Sequence, residues 1–136
     1  MTFKATYLGS NGWVIEFKKA KIVIDPWLLG DLIFPPGGWF FKGTLKDEIP
    51  TPEDIDLILL TQGLPDHCHI PSLKKFPKKT NVICSKSAFK ILDELNFESI
   101  KIMEPGQNIE FNDIKIEATS GAAVPHIENG YILEAN

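Results

Sequence analysis

Thr61-Gln62-Gly63-Leu64-Pro65-Asp66-His67-Cys68-His69 follows the apolar run Ile58-Leu59-Leu60. A run apolar at every position reads as a strand covered on both faces. The stretch after it holds two of the three histidines, one of the two cysteines and an aspartate. Nowhere else does the chain gather so many metal-ligand or acid–base groups. In an extended loop His67 and His69 point the same way. Neutral imidazole and carboxylate are ligands for zinc, iron or manganese, so Asp66, His67 and His69 are candidate metal ligands. An Asp/His pair also serves as a general base with its orienting partner, which makes Asp66 and His67 the candidate catalytic residues. Cys68 faces away from its neighbours. The same residues also fit a plain strand-end loop, with Asp66 capping a helix at Pro71 or bonding nearby backbone N–H groups. The residues alone leave both open.

Working outward, Phe3, Ala5 and Tyr7 alternate with polar residues, as do Trp13, Ile15 and Phe17 beyond the turn Gly9-Ser10-Asn11-Gly12. Ile22-Val23-Ile24 is apolar on both faces and ends at Asp25-Pro26. Proline cannot continue a ladder, so Asp25 sits at a strand end, a common place for a functional carboxylate. Trp27 to Gly43 fits neither period. Its Phe34-Pro35-Pro36-Gly37-Gly38-Trp39-Phe40-Phe41 reads as a structured loop pinned to its own core. The alternatives are that Trp39, Phe40 and Phe41 form a lid or an interface, or cover a small apolar ligand.

Downstream, Pro71 to Phe76 reads as a short helix and Val82-Ile83-Cys84 as a buried strand. Ser85 or Ser87 caps a helix whose stripe is Ala88, Ile91, Leu92 and Leu95. Asn112-Asp113 between two alternating runs signals a hairpin. A loop spans Ser120 to Asn129, and Gly130 to Glu134 reads as a strand. Many strands and two good helices suggest an α/β chain of the α+β type.

The bulk properties exclude several classes. A chain of 136 residues with 43% hydrophobic and 24% charged residues is expected to form one soluble domain. Its net charge of -4, with no basic stripe, argues against nucleic acid and against a polybasic membrane contact. No apolar run approaches the ~20 residues needed to span a bilayer. The N-terminus lacks the pattern of a signal peptide, and two cysteines form no disulfide framework, so the expected location is cytoplasmic.

A strand ending in Ile24-Asp25-Pro26, and a strand ending at Thr61 before Asp66-His67, resemble the metallo-β-lactamase superfamily. Its first motif is Thr-His-x-His-x-Asp-His. Here Thr61, Asp66 and His67 match, while Gln62 and Leu64 stand where the first two histidines belong. Asp25 matches the acidic residue after the family's preceding strand. Asp25 to Gly30, Gln62 to His69 and Glu128 to Tyr131 resemble stretches of the cyanobacterial and plant branch.

The resemblance implies a metal-dependent hydrolase of an unspecified small molecule, with zinc, manganese or iron on Asp66, His67 and His69. Asp25 would be a further ligand or the orienting group. It also implies a degenerate site, because leucine cannot ligate and glutamine is a poor zinc ligand. His126 lies near where a third histidine would fall, in a loop that does not match that motif. The site then holds no metal in the alternative reading.

The family fold is an αββα sandwich. Residues 1–136 look like its N-terminal half, truncated, with a mixed sheet and helices on one face. A lone half is expected to expose its inner sheet face and to pair through it as a homodimer. The alternative to a hydrolase is such a non-catalytic, self-associating half-domain.

Overall fold

Apolar side chains at all four positions of Leu57–Leu60 (β6) leave this strand one stable place, the middle of a sheet covered on both sides. The computed structural model describes residues 3–17, 19–121 and 128–135, and in it all four are fully buried. His126 and most of the loop before β11 lie outside the described residues.

Around β6 runs a six-stranded mixed sheet. Phe3–Gly9 (β1), Gly12–Phe17 (β2) and Ala20–Ile24 (β3) form an antiparallel meander, with Tyr7 opposite Trp13 and Ile15 opposite Ile22. From β3 the sheet turns parallel, through β6 to Asn81–Cys84 (β7) and Ile100–Ile102 (β8). The order is β1-β2-β3-β6-β7-β8.

One face is covered by helices. Ile70–Leu73 (α1) is capped by His69, not by Asp66. Lys86–Leu92 (α2) is capped by Ser85, whose Oγ accepts from the Ala88 N–H, and a 3-10 turn extends it to Leu95. Asn96 ends the helix in the left-handed region at φ 53°. Leu73, Phe76, Ala88, Leu92 and Leu95 pack there against Val23, Ile58, Leu60 and Val82.

The other face is not left open, as expected of a lone half. Asn108–Phe111 (β9), Ile114–Ser120 (β10) and Asn129–Ala135 (β11) form a second, three-stranded antiparallel sheet. Its Ile114, Ile116 and Ala118 pack on Ile22, Leu57, Leu59 and Ile83. The Asn112-Asp113 turn has both residues at positive φ, 47° and 62°, as a two-residue hairpin turn requires. The sequence shows this hairpin but not its destination, because period-2 alternation says which side is apolar and not what it meets. The small sheet spans only part of the large one. Phe3, Tyr7 and Trp13, on the inner side of β1 and β2, remain 63%, 58% and 40% exposed.

The aromatic loop holds a short hairpin, Asp31–Ile33 (β4) with Lys42–Thr44 (β5). Trp39, Phe40 and Phe41 project from it into solvent, so the loop is not pinned to the core through them. Phe34 stacks edge-on against Phe41, and Trp39 against Phe40.

The Glu128 to Tyr131 stretch joins the two sheets. Asn129 is buried, and its amide donates to the Met103 carbonyl at 2.7 Å and to the Tyr131 hydroxyl at 3.0 Å. That hydroxyl donates to the Leu60 carbonyl at 3.0 Å. Asn129→Ala strands the Met103 carbonyl in the core, and urea unfolding should show a loss of about 1–3 kcal/mol. A loss under about 0.5 kcal/mol would mean that the bonds between the sheets contribute little.

Candidate functional site

β3 and β6 are parallel neighbours, so their C-terminal ends emerge side by side. β3 is followed by Asp25, which adopts φ +41°, and β6 is followed by Thr61. Asp25 is 2% exposed. Its Oδ1 accepts the Thr61 N–H at 2.9 Å, and its Oδ2 accepts the Thr61 hydroxyl. The same Oδ2 lies 2.7 Å from His67 Nδ1. A carboxylate only accepts, so Nδ1 carries a proton, and in the neutral ring Nε2 presents a lone pair.

Asp66 flanks that lone pair, its Oδ2 3.5 Å from Nε2. The Asn11 amide, from the β1–β2 turn, donates to Asp66 Oδ2 at 3.0 Å and lies 3.3 Å from His67 Nε2. Asp66 Oδ1 is buried and has no partner among the described residues. The structure therefore brings Asp25, Asp66 and His67 together, and adds Thr61 and Asn11.

His69 does not join them. Its Nδ1 faces the Ser72 hydroxyl at 2.8 Å and accepts the Ser72 N–H at 3.3 Å, as a helix cap. Its Nε2 donates to the Asp31 carbonyl at 3.1 Å. Both ring nitrogens are thus engaged in tying α1 to β4. Burial lowers the His69 pKa, in keeping with this neutral ring. Trp39, Phe40 and Phe41 stand in solvent, 82%, 68% and 59% exposed.

Asn11 was not legible as a site residue. An asparagine in a tight turn needs no explanation beyond the turn itself. Cys68 and Cys84 are buried free thiols, and burial pushes both up to about 12, which leaves them unreactive.

The loop that carries Asp66 is held from below. The Gly63 N–H donates to Ser87 Oγ at 3.0 Å, and Ser87 Oγ donates in turn to the buried Glu128 at 3.1 Å. A Cβ at Gly63 would meet the Ser87 carbonyl oxygen at 2.7 Å, so this loop reaches α2 only with glycine there.

Among the described residues no three His, Cys, Asp or Glu side chains form a group that would hold a metal ion. Two donors do suit one: His67 Nε2, oriented by Asp25 in the manner of a carboxylate–histidine–metal triad, and Asp66 Oδ1, which lacks a partner among the described residues. The Asn11 amide lies against the first of these and beside the second.

Residues 4–133 match the model of the Beta-lactamase superfamily domain. The chain belongs to this family. A UPF0173 metal-dependent hydrolase of Paracoccus denitrificans (strain Pd 1222) is 39% identical over 64 residues, 47% of this chain and 24% of that protein. A "possible metal-dependent hydrolase" from Veillonella parvula DSM 2008 superposes with a TM-score of 0.76 at 19% identity, over 99% of this chain and 59% of its own. CmlA, a diiron β-hydroxylase from Streptomyces venezuelae, superposes with a TM-score of 0.73 at 16% identity, over 98% of this chain and 28% of its own. These likenesses establish the fold. The chain spans about a quarter of the curated relative and less than two thirds of either solved structure.

Burial pulls the His67 pKa down, but the hydrogen bond and charge of Asp25, then the charges of Asp66 and Glu128, outweigh it and leave it raised. Burial raises the Asp25 pKa, and its bonds from His67 and Thr61 offset this only in part. Both groups hold protons more tightly folded than unfolded, so both make stability fall as pH rises. The His67 contribution is complete below its ordinary value of 6.5 and is lost as pH climbs through the raised folded value. Unfolding free energy measured with chelator between about pH 6 and 8 should decline more steeply in the native chain than in His67→Gln. Parallel curves would mean that the pair does not bind its proton in this way.

Proposed function

We propose that this chain carries a hydrolase site of the β-lactamase superfamily in reduced form, holding at most one divalent cation. The observation that carries it is the pairing of His67 Nδ1 with buried Asp25 at 2.7 Å, which leaves Nε2 facing the Asp66 carboxylate, 3.5 Å from its Oδ2, while Asp66 Oδ1 has no partner among the described residues. His67 and Asp66 are the ligands in this reading, and Asp25 is the orienting group. When bound, the cation polarises a carbonyl or phosphoryl oxygen and activates water. Asp25 fixes the tautomer and orientation of His67, and Thr61 holds Asp25. The likeness to metal-dependent hydrolases supports the same class, and imidazole with carboxylate suits zinc, manganese or iron as the cation.

Two donors are fewer than the three of an ordinary catalytic zinc site, so affinity should be weak. Gln62 and Leu64 account for this, since they stand where the family's first two histidines belong. The competing reading is a non-catalytic relative. Asn11 favours it, because one amide nitrogen lies within 3.3 Å of both Asp66 Oδ2 and His67 Nε2, where a cation would sit.

Titration calorimetry with zinc and with manganese separates the two. The hydrolase reading expects one ion per chain and a rise in stability of about 2.7 kcal/mol at a hundredfold excess over Kd. Asp66→Ala and His67→Ala should abolish binding, and Asp25→Asn should weaken it about 10- to 100-fold. Less than ~0.2 ion per chain, with no stabilisation, would establish the non-catalytic reading.

A further inference from the structure

We propose that two copies of this chain join across the uncovered step of the sandwich, each laying the inner face of β1 and β2 on that of the other. This does not depend on a cation at Asp66 and His67.

The step has a defined shape. The large sheet is six strands wide and the small one three, so the meander end overhangs. Cross-strand pairing puts Phe3 opposite Phe17 and Tyr7 opposite Trp13 on one face, the face that carries Ile15 and Phe17 toward the small sheet. Phe17 is buried, while Phe3 and Tyr7 are more than half exposed. Beside them runs an apolar groove of about 530 Å3, walled by Phe3, Ile15 and Ile24 on one side and by Tyr131, Leu133 and Ala135 on the other. Two strand edges border the step. Among the described residues, β1 and β11 each pair on one side only.

Such a step is complementary to itself. A two-fold axis along the strand direction slides one overhang beneath the other, as in a half-lap joint. Each large sheet then continues into the partner's small sheet, with β1 of one copy beside β11 of the other. The free edges gain partners, and the bare aromatic faces meet.

Charge supports this pairing over the alternative. Lys4, which faces Glu16 of β2 at 3.5 Å, points outward from β1, and Glu134, which faces Lys115 of β10 at 3.8 Å, outward from β11, so the joint continues an alternation of opposite charges across neighbouring strands of one surface. Joining β11 to β11 would instead bring Glu134 near its own copy and leave Phe3, Tyr7 and Trp13 bare.

Sedimentation equilibrium of the full chain, from about 1 to 200 µM, tests the proposal. The expected species is a dimer of the 15.2 kDa chain that dissociates on dilution. Phe3→Lys and Tyr7→Lys alter exposed side chains and should each weaken it at least ~10-fold, with the far-UV circular dichroism unchanged. Glu134→Lys should weaken it a few-fold, and adding Lys4→Glu should restore it. A monomer throughout the range overturns the proposal, including one that binds an apolar dye in the groove. So does a dimer indifferent to Tyr7→Lys, or one in which the charge swap restores nothing.

Discussion

One buried carboxylate holds this structure's chemistry in place. Asp25 sits where β3 leaves the sheet, 2% exposed, and its oxygens receive the Thr61 N–H, the Thr61 hydroxyl and the His67 ring. Taking a carboxylate out of water costs several kcal/mol, and a hydrogen bond to a charged group returns about 1.5–3. One bond would return little of that cost at this depth, and three together return much of it, though burial still leaves the Asp25 pKa raised. The residues that supply them come from the end of β6 and the loop beyond it. The parallel register of β3 with β6 thus positions His67, and His67 positions what Asp66 and Asn11 can reach. The left-handed backbone at Asp25, an uncommon conformation for a residue with a side chain, is part of the same constraint.

How far the sequence foretells this follows from what each signal measures. Leu57 to Leu60 are apolar at every position, which fixes a central strand whatever surrounds it. Asp25-Pro26 marks a strand end by the chemistry of proline, and the structure ends β3 there. Asn112-Asp113 marks a hairpin because few residue pairs take two positive φ angles in succession. The covering of the inner face by β9 to β11 is a long-range event. Ile116 and Leu59 meet across many residues of chain, and no local pattern in either names the other. The short β4–β5 hairpin escapes for the opposite reason, since its strands are three residues long and fall below any periodic signal.

The site divides in the same way. Asp66, His67 and Asp25 are visible as residue types at strand ends, and folding brings them within reach. His69 has equal chemical credentials and a different fate. It lies two residues from His67, but the chain turns into α1 at that point, and a helix start needs a side-chain acceptor for its free N–H groups. Its Nδ1 fills that need, and the Asp31 carbonyl takes the other nitrogen. Spacing in sequence predicts a shared direction only while the backbone stays extended. Asn11 shows the converse. It approaches Asp66 from 55 residues away through a turn that any asparagine would suit.

Thr61 ties the polar site to the apolar groove. Its hydroxyl touches Asp25 and lies 3.0 Å from His67 Nδ1, and the residue also forms part of the groove wall with Leu59 and Tyr131. Whatever fills the groove therefore lies against the residue that holds the Asp25 charge. Excluding water there lowers the local dielectric, which strengthens the attraction between Asp25 and a protonated His67. It also raises the cost of any charge left without a partner. The Asp25–His67 pair is itself nearly complete, with each Asp25 oxygen bonded, so it gains. Asp66 Oδ1, already buried and without a partner among the described residues, loses. Covering the groove and supplying a partner to Asp66 are thus linked by physics before they are linked by function. A chain that dries this end of the sandwich increases the need for a cation, or for the Asn11 amide, at Asp66 and His67.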